Sequence, residues 1–147
     1  MPHHIVRRRL PQAGDPVLSS FDAISVISLA MRQPLVAETI AFFLDEDSCS
    51  SAITIVSDTT DPESVLVIAE CLAMTGSQSP ASCGLVLATV RPTGSPNQGP
   101  TLPGDLDRWV EADVITAAHG LELIEWFVIG PWGVGCPRDL LGDPQRW

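Results

Sequence analysis

Apolar and polar residues alternate along the chain in blocks that predict helices and strands in turn. The first predicted helix covers residues 19–33, and Pro34 ends it, because a proline disfavours helical backbone at the residue before it. A serine at the start can cap this helix, and its apolar side chains recur at helical spacing. They are Phe21, Ile24, Ile27 and Met31.

Five segments have the composition of strands. Residues 38–45 and 51–57 are rich in β-branched and aromatic side chains and flank an acidic turn, which predicts two adjacent strands. Residues 83–90 form a nearly continuous apolar run, as expected for a strand covered on both faces. Residues 121–130 predict another strand, and a turn then leads to a final short strand near residues 134–140.

Two further segments carry helix boundary signals. Residues 60–76 have a proline in the first turn and a glycine at the end. Residues 104–120 also end in a glycine, and their helical period predicts one buried face. That face contains Leu106, Val110, Val114, Ala117 and Leu121.

The resulting order is helix, two strands, helix, strand, helix, two strands. Strand–helix–strand connections favour parallel neighbours and hairpins supply antiparallel ones, so we expect a single-domain α/β sandwich with a mixed sheet flanked by about three helices. Residues 1–18 contain prolines and a glycine and are predicted to be a flexible tail. The domain is expected over residues 19–135, with residues 136–147 forming its last strand and tail.

Charge limits the partners. Residues 1–18 carry three arginines against one aspartate, whereas residues 19–147 carry five arginines against seventeen acids, within a formal net charge of −10. An acidic body repels nucleic acid and anionic membranes, so nucleic-acid binding through Arg7–Arg9 is not favoured. No apolar run is long enough for a membrane span and no apolar segment follows these arginines, so we expect a cytoplasmic protein without membrane contact.

The element order and four phrases of the sequence resemble a known family. The phrases are "FFLD", "VLATVRPTG", "LPGDLDRW" and "HGLELIEWFVIG". Together they are similar to the JAB/MPN domain, in particular its RadC-type branch, over residues 35–135. In active members of that family, two histidines and an aspartate hold zinc, a glutamate is the general base, and a serine steadies the oxyanion.

Most of those functional positions are changed here. The resemblance places Thr89 and Arg91 where the two histidines stand, Gly104 at the serine and Asp107 at the metal-binding aspartate, and Glu38 near the general base. A catalytic zinc needs three protein ligands of the Cys, His or carboxylate type. Threonine is a poor ligand and a permanently charged guanidinium repels a dication, so we expect no metal, no cofactor and no catalysis at this vestigial pocket.

The substitution of Arg91 for a metal ligand suggests that its charge replaces that of the ion. The sequence therefore predicts an ion pair between Arg91 and Asp107, which could extend to Glu38. A simpler interpretation is that Asp105 and Asp107 only stabilise the first turn of their helix.

Two functions from different classes follow. The preferred one is a metal-free binding or assembly module that contacts an unknown protein partner or a second copy of the chain. The alternative is a metal-dependent peptidase or isopeptidase-like hydrolase, with a relocated site built from Asp107 and Glu38 together with His119 or Cys83. His119 also fits a simpler role beside the last carbonyls of its helix.

Two tryptophans are candidates for an interaction surface. Trp132 lies in a glycine- and proline-rich turn and Trp147 ends the chain, and exposed aromatic residues are frequent interface anchors. The alternative for Trp147 is that it packs back against the body of the domain.

Overall fold

The computed structural model of the protein describes residues 15–141. Residues 1–14 and 142–147, which include Arg7–Arg9, Trp147 and most of the predicted N-terminal tail, lie outside the described part. In chain order the elements are α1 (Ser20–Ala30), β1 (Glu38–Leu44), β2 (Thr54–Ser57), α2 (Ser64–Ser77), β3 (Gly84–Val90), α3 (Asp105–Ala118), β4 (Glu122–Gly130), β5 (Gly133–Gly135) and a short 3-10 helix (Pro137–Leu141).

These strands form one five-stranded mixed sheet in the order β2-β1-β3-β4-β5. β3 and β4 are parallel and are joined by α3, whereas the other neighbouring pairs are antiparallel. A crossover helix is the usual connection between parallel strands, because the chain must return to the same end of the sheet. The mixed sheet with three helices confirms the predicted α/β sandwich.

Two apolar clusters cover the two faces of the sheet. The cluster on the α1 face includes alternate residues of the central strands, and the other cluster contains the residues between them together with α2 and α3. β1 and β3 therefore have apolar side chains on both faces, which explains why β3 reads as a continuous apolar run. Trp109 and Trp126, 5% and 0% exposed, belong to the α2 and α3 side.

The predicted buried face of α3 is confirmed at Leu121, which is 4% exposed, and at Leu106, which packs against the core, but it is wrong at the other three positions, including Ala117. Val110 and Val114 are exposed, while the helix buries Trp109, Ala112 and Thr116. Thr116 satisfies its hydroxyl locally by donating to the carbonyl of Ala112 at 2.8 Å, so a polar residue can occupy the inner face.

The first helix also differs from its prediction. Phe21 is 67% exposed, whereas the predicted Ile27 is buried together with Ala23 and Val26. Ordered structure begins earlier than the predicted boundary, because Val17 is 1% exposed and its N–H donates to the carbonyl of Ser48 at 2.8 Å. In residues 15–141, no helix has the length and apolar character needed to cross a membrane.

Candidate functional site

A cleft of about 630 Å³ opens at the carboxyl end of β3. One wall is the segment 59–62, which precedes α2, and the other is the loop 91–103, which connects β3 to α3. In open α/β sheets, ligands commonly bind outside the carboxyl ends of strands, and this volume is within the range of small-ligand sites. The cleft is therefore the candidate site.

Threonine hydroxyls lie at the inner end of the cleft. Thr59 and Thr89 line it, and both are nearly buried. Thr89 accepts a hydrogen bond from the indole Nε1 of Trp126 at 2.9 Å, and the hydroxyls of Thr39 and Thr59 are 3.0 Å apart. Thr39 lies directly opposite Thr89 across β1 and β3, so the three hydroxyls are on one face of the sheet.

The predicted ion pair between Arg91 and Asp107 is wrong, because the acidic partner of Arg91 is Asp105. The guanidinium Nη1 and Nη2 donate to the two oxygens of Asp105 at 2.7 and 3.0 Å. Nη1 also donates to the carbonyl of Pro100 at 3.0 Å, which ties Arg91 to the loop 91–103. The Asp105 side chain is fully buried, whereas Asp107 is exposed two residues further along the helix.

Asp105 also joins a second arginine. Nη1 of Arg108 donates to Asp105 Oδ1 at 2.9 Å, and Nε of Arg108 donates to Glu63 at 2.9 Å. The backbone N–H of Leu102 adds a further bond to Asp105 Oδ2 at 2.6 Å. These bonds connect the end of β3, the loop after it, the start of α3 and the segment before α2.

The pKa of the Asp105 carboxyl is lowered from its ordinary value. Burial acts in the opposite direction and raises this pKa, but the hydrogen bonds from Arg91, the Leu102 N–H and Arg108, with the charge of Arg91, outweigh it. The pKa of Arg108 is raised: burial lowers it, and the bonds to Glu63 and Asp105 more than compensate. Both shifts favour the charged forms of Asp105 and Arg108.

Gly104 has a conformational role at the start of α3. Its φ of +86° lies in the left-handed region, which glycine adopts without strain. A Cβ at this position would also stand 3.4 Å from the Arg108 guanidinium. That distance is an ordinary van der Waals contact, so it is the left-handed backbone that explains a glycine where the family resemblance places a serine.

Glu38 and Asp107 are not part of the cleft. Glu38 lies opposite Val90 across the two strands, so its side chain points to the α1 face, away from Thr89. It is 1% exposed and its closest cation is Arg32, with Nε 3.8 Å from Oε2. The predicted extension of the Arg91 ion pair to Glu38 is therefore wrong.

The other residues considered for a hydrolase site lie apart from the cleft. His119 follows α3, and its Nε2 is 3.1 Å from Glu70 on α2. Cys83 is exposed next to the first residue of β3, at the end opposite Arg91. Among residues 15–141, no three His, Cys, Asp or Glu side chains are grouped so that they could hold a metal ion.

Trp132 lies at the other side of the loop 91–103. It is 61% exposed in the turn between β4 and β5, as the sequence predicted for an interaction candidate. A small groove between this turn and residues 93–100 adjoins the cleft through their shared loop.

The residues that the family resemblance implies for zinc do not fit the ion. Thr89 offers a hydroxyl that is already an acceptor for Trp126, and Arg91 brings a permanent positive charge. The carboxylate that contacts Arg91, Asp105, is bound by two guanidinium groups.

Comparison of the chain with protein-family models and with curated proteins gives no match. The resemblance to the JAB/MPN domain therefore stays a hypothesis.

Three important residues of the site were missed in the sequence. Asp105 was interpreted only as a residue that favours the helix dipole, and Arg108 and Thr59 were not singled out. The available signal for Asp105 was its place directly after a glycine in the first turn, where a carboxylate can also accept from the preceding loop. Nothing in the sequence alone indicated that Arg91 reaches Asp105 across the loop.

Proposed function

We propose that this protein is a metal-free, catalytically silent binding module of the JAB/MPN type, and that its binding surface is the cleft between residues 59–62 and 91–103. The observation that carries the proposal is the bidentate ion pair between Arg91 and Asp105. Arg91 occupies one of the positions where the family resemblance implies a metal ligand, and its permanent charge is neutralised there by Asp105.

The chemistry of the cleft supports binding rather than hydrolysis. Hydrolysis needs an activated nucleophile or a metal-bound water held near a general base. The cleft is lined by threonine hydroxyls, the Arg91 guanidinium and one carboxylate, Asp61. A guanidinium does not lose its proton at neutral pH, and among residues 15–141 Asp61 belongs to no cluster that could hold a metal-bound water. The carboxylates considered as a base, Glu38 and Asp107, lie elsewhere.

Thermal unfolding with a chelator tests this proposal. A metal that binds only the folded state raises the unfolding midpoint, and its removal lowers the midpoint. We expect the same midpoint in buffer, with EDTA and with added Zn²⁺. A midpoint that falls with EDTA and recovers with Zn²⁺ contradicts the proposal, and loss of that response in Asp107→Ala would favour the hydrolase instead.

A further inference from the structure

The hydroxyl of Thr89 is oriented by the indole above it. The Nε1–H of Trp126 can only donate, and it donates to Thr89 Oγ1 at 2.9 Å. The hydroxyl proton of Thr89 is therefore free to donate elsewhere, and within residues 15–141 no acceptor is in hydrogen-bond range of it. Thr89 lines the cleft, so its proton is available to a ligand there.

The hydroxyl of Thr59 also has a proton available to a ligand in the cleft, because of its hydrogen bond with Thr39. Thr39 is fully buried, whereas Thr59 lines the cleft. If Thr59 donated to Thr39, the proton of Thr39 would be buried without an acceptor, which costs free energy. Donation from Thr39 to Thr59 avoids this cost and leaves the proton of Thr59 for the cleft.

Arg91 adds charge and further donors. Its Nε–H and one Nη2–H have no acceptor among residues 15–141, and the side chain lines the cleft with 14% of its surface exposed. Two guanidinium groups share the one buried carboxylate of Asp105. The other partner of Arg108 is Glu63, which is 59% exposed and so screened by water. The two guanidinium groups are thus balanced by the carboxylates of Asp105 and Glu63, and what Arg91 offers a ligand is its unused N–H donors.

We propose that the cleft binds a small organic monocarboxylate, with the carboxylate oxygens accepting from Thr59, Thr89 and Arg91. Donors without acceptors select a ligand that accepts hydrogen bonds, and a guanidinium among them favours a carboxylate, because charge-assisted hydrogen bonds are the stronger ones. The single carboxylate of Asp61 at the cleft wall disfavours ligands with more than one charge. Proline side chains and Leu102 form the walls, which suits a ligand with an apolar body. The inference rests on the proposed function, because it assumes that the cleft is the binding surface.

Titration with two matched probes tests the inference. The probes are N-benzoylglycine and its amide, N-benzoylglycinamide, which have nearly the same shape and differ in the carboxylate. The indole N–H resonance of Trp126, observed by NMR of ¹⁵N-labelled protein, reports on the cleft through Thr89. We expect a saturable shift with the acid and binding of the amide weaker by about tenfold or more, since charge-assisted hydrogen bonds are the stronger ones.

A variant pair adds a second readout. Thr59→Val keeps the side-chain shape and removes one proposed donor, so it is expected to weaken binding of the acid by about tenfold. Thr75→Val is the matched control, because the Thr75 hydroxyl bonds to the Cys71 carbonyl on α2, outside the cleft. Its affinity for the acid should equal that of the wild type. The comparison of acid with amide on the wild type needs no variant and so remains decisive if Thr59→Val does not fold.

Three results would overturn the inference: equal affinity for acid and amide, no saturable shift with either probe, or unchanged affinity in a folded Thr59→Val. None of them affects the chelator experiment, so the proposed metal-free function would stand. A midpoint that depends on zinc would instead remove the proposed function whatever the probes do.

Discussion

The two carboxylate oxygens of Asp105 lie 2.7 and 3.0 Å from the terminal nitrogens of Arg91. This pair joins the residue after β3 to the first residue of α3, across a loop that forms one wall of the cleft. A bidentate contact of this kind fixes both distance and orientation. The loop 91–103 is thus held at both ends by side chains as well as by the backbone.

Replacing Asp105 should destabilise the protein. Asp105→Asn leaves the Arg91 and Arg108 guanidinium groups without their common carboxylate, and breaking a buried ion pair typically costs about 3 kcal/mol or more. The free energy of unfolding, measured with urea, should fall by that amount. Asp107→Asn is the control: Asp107 is exposed on the same helix, and its replacement should change stability by less than about 0.5 kcal/mol. Equal losses in the two variants would show that Asp105 is not the charge that holds the loop.

Low pH should remove the contribution of Asp105 to the free energy of unfolding. Its pKa is lowered in the folded state, so the stabilisation is complete above the unfolded pKa of about 3.9 and is lost as pH falls through the lower folded pKa. The difference in unfolding free energy between wild type and Asp105→Asn should therefore be constant above about pH 5 and shrink below about pH 4. Urea unfolding of both proteins over this range measures it, and the comparison cancels the titration of the other carboxylates. If the difference in unfolding free energy between wild type and Asp105→Asn did not change with pH, the ionised Asp105 carboxylate would not be the stabilising group.

Alanine substitutions at three glycines test whether left-handed backbone at two of them determines the loss of stability. Gly104 and Gly120 both have positive φ, and a non-glycine residue there costs about 1–2 kcal/mol. Gly120→Ala should show this cost because its Cβ meets nothing within 4 Å, and Gly104→Ala should show a similar cost because its Cβ would make only ordinary contacts, 3.4 Å or longer, with Arg108. Gly99→Ala is the control, since its φ is not positive and its surroundings are open; it should be within about 0.5 kcal/mol of wild type. Equal stability of all three variants would be inconsistent with left-handed backbone at Gly104 and Gly120.

The same substitution at two valines tests the corrected face of α3. Val114 is 63% exposed and Val86 is fully buried in β3. Val114→Ala should change the free energy of unfolding by less than about 0.5 kcal/mol, and Val86→Ala should cost about 2 kcal/mol. Thermal or urea unfolding distinguishes the two expectations. A larger loss of stability in Val114→Ala would indicate that Val114 is buried, as the apolar period of the sequence predicted.

The elements themselves could be predicted from the sequence to within a few residues. Apolar runs with β-branched residues gave β1 and β3, and the proline and glycine signals located α2 and α3. Helix faces were harder to predict. In α3 the apolar residues 110 and 114 follow a helical period as well as the buried residues do, and the inner face includes Thr116, whose hydroxyl bonds to the backbone. Hydrophobicity alone does not reveal that a polar group is satisfied in this way.

The candidate site was only partly predictable for a related reason. Thr89 and Arg91 were identified and do line the cleft. Asp105 and Asp107 are two residues apart, so they point about 200° apart around the helix, and the sequence does not say which side faces Arg91. Glu38 was misplaced because one residue along a strand reverses the face of a side chain.

The most direct test of the central claim, that the cleft holding the Arg91–Asp105 ion pair binds no metal, is elemental analysis of the protein purified without added metal. Substoichiometric zinc, iron, manganese, nickel, cobalt and copper are expected in the wild type. One equivalent of a transition metal per chain that survives purification, and that is lost in Asp105→Asn or Asp107→Asn, would contradict the claim.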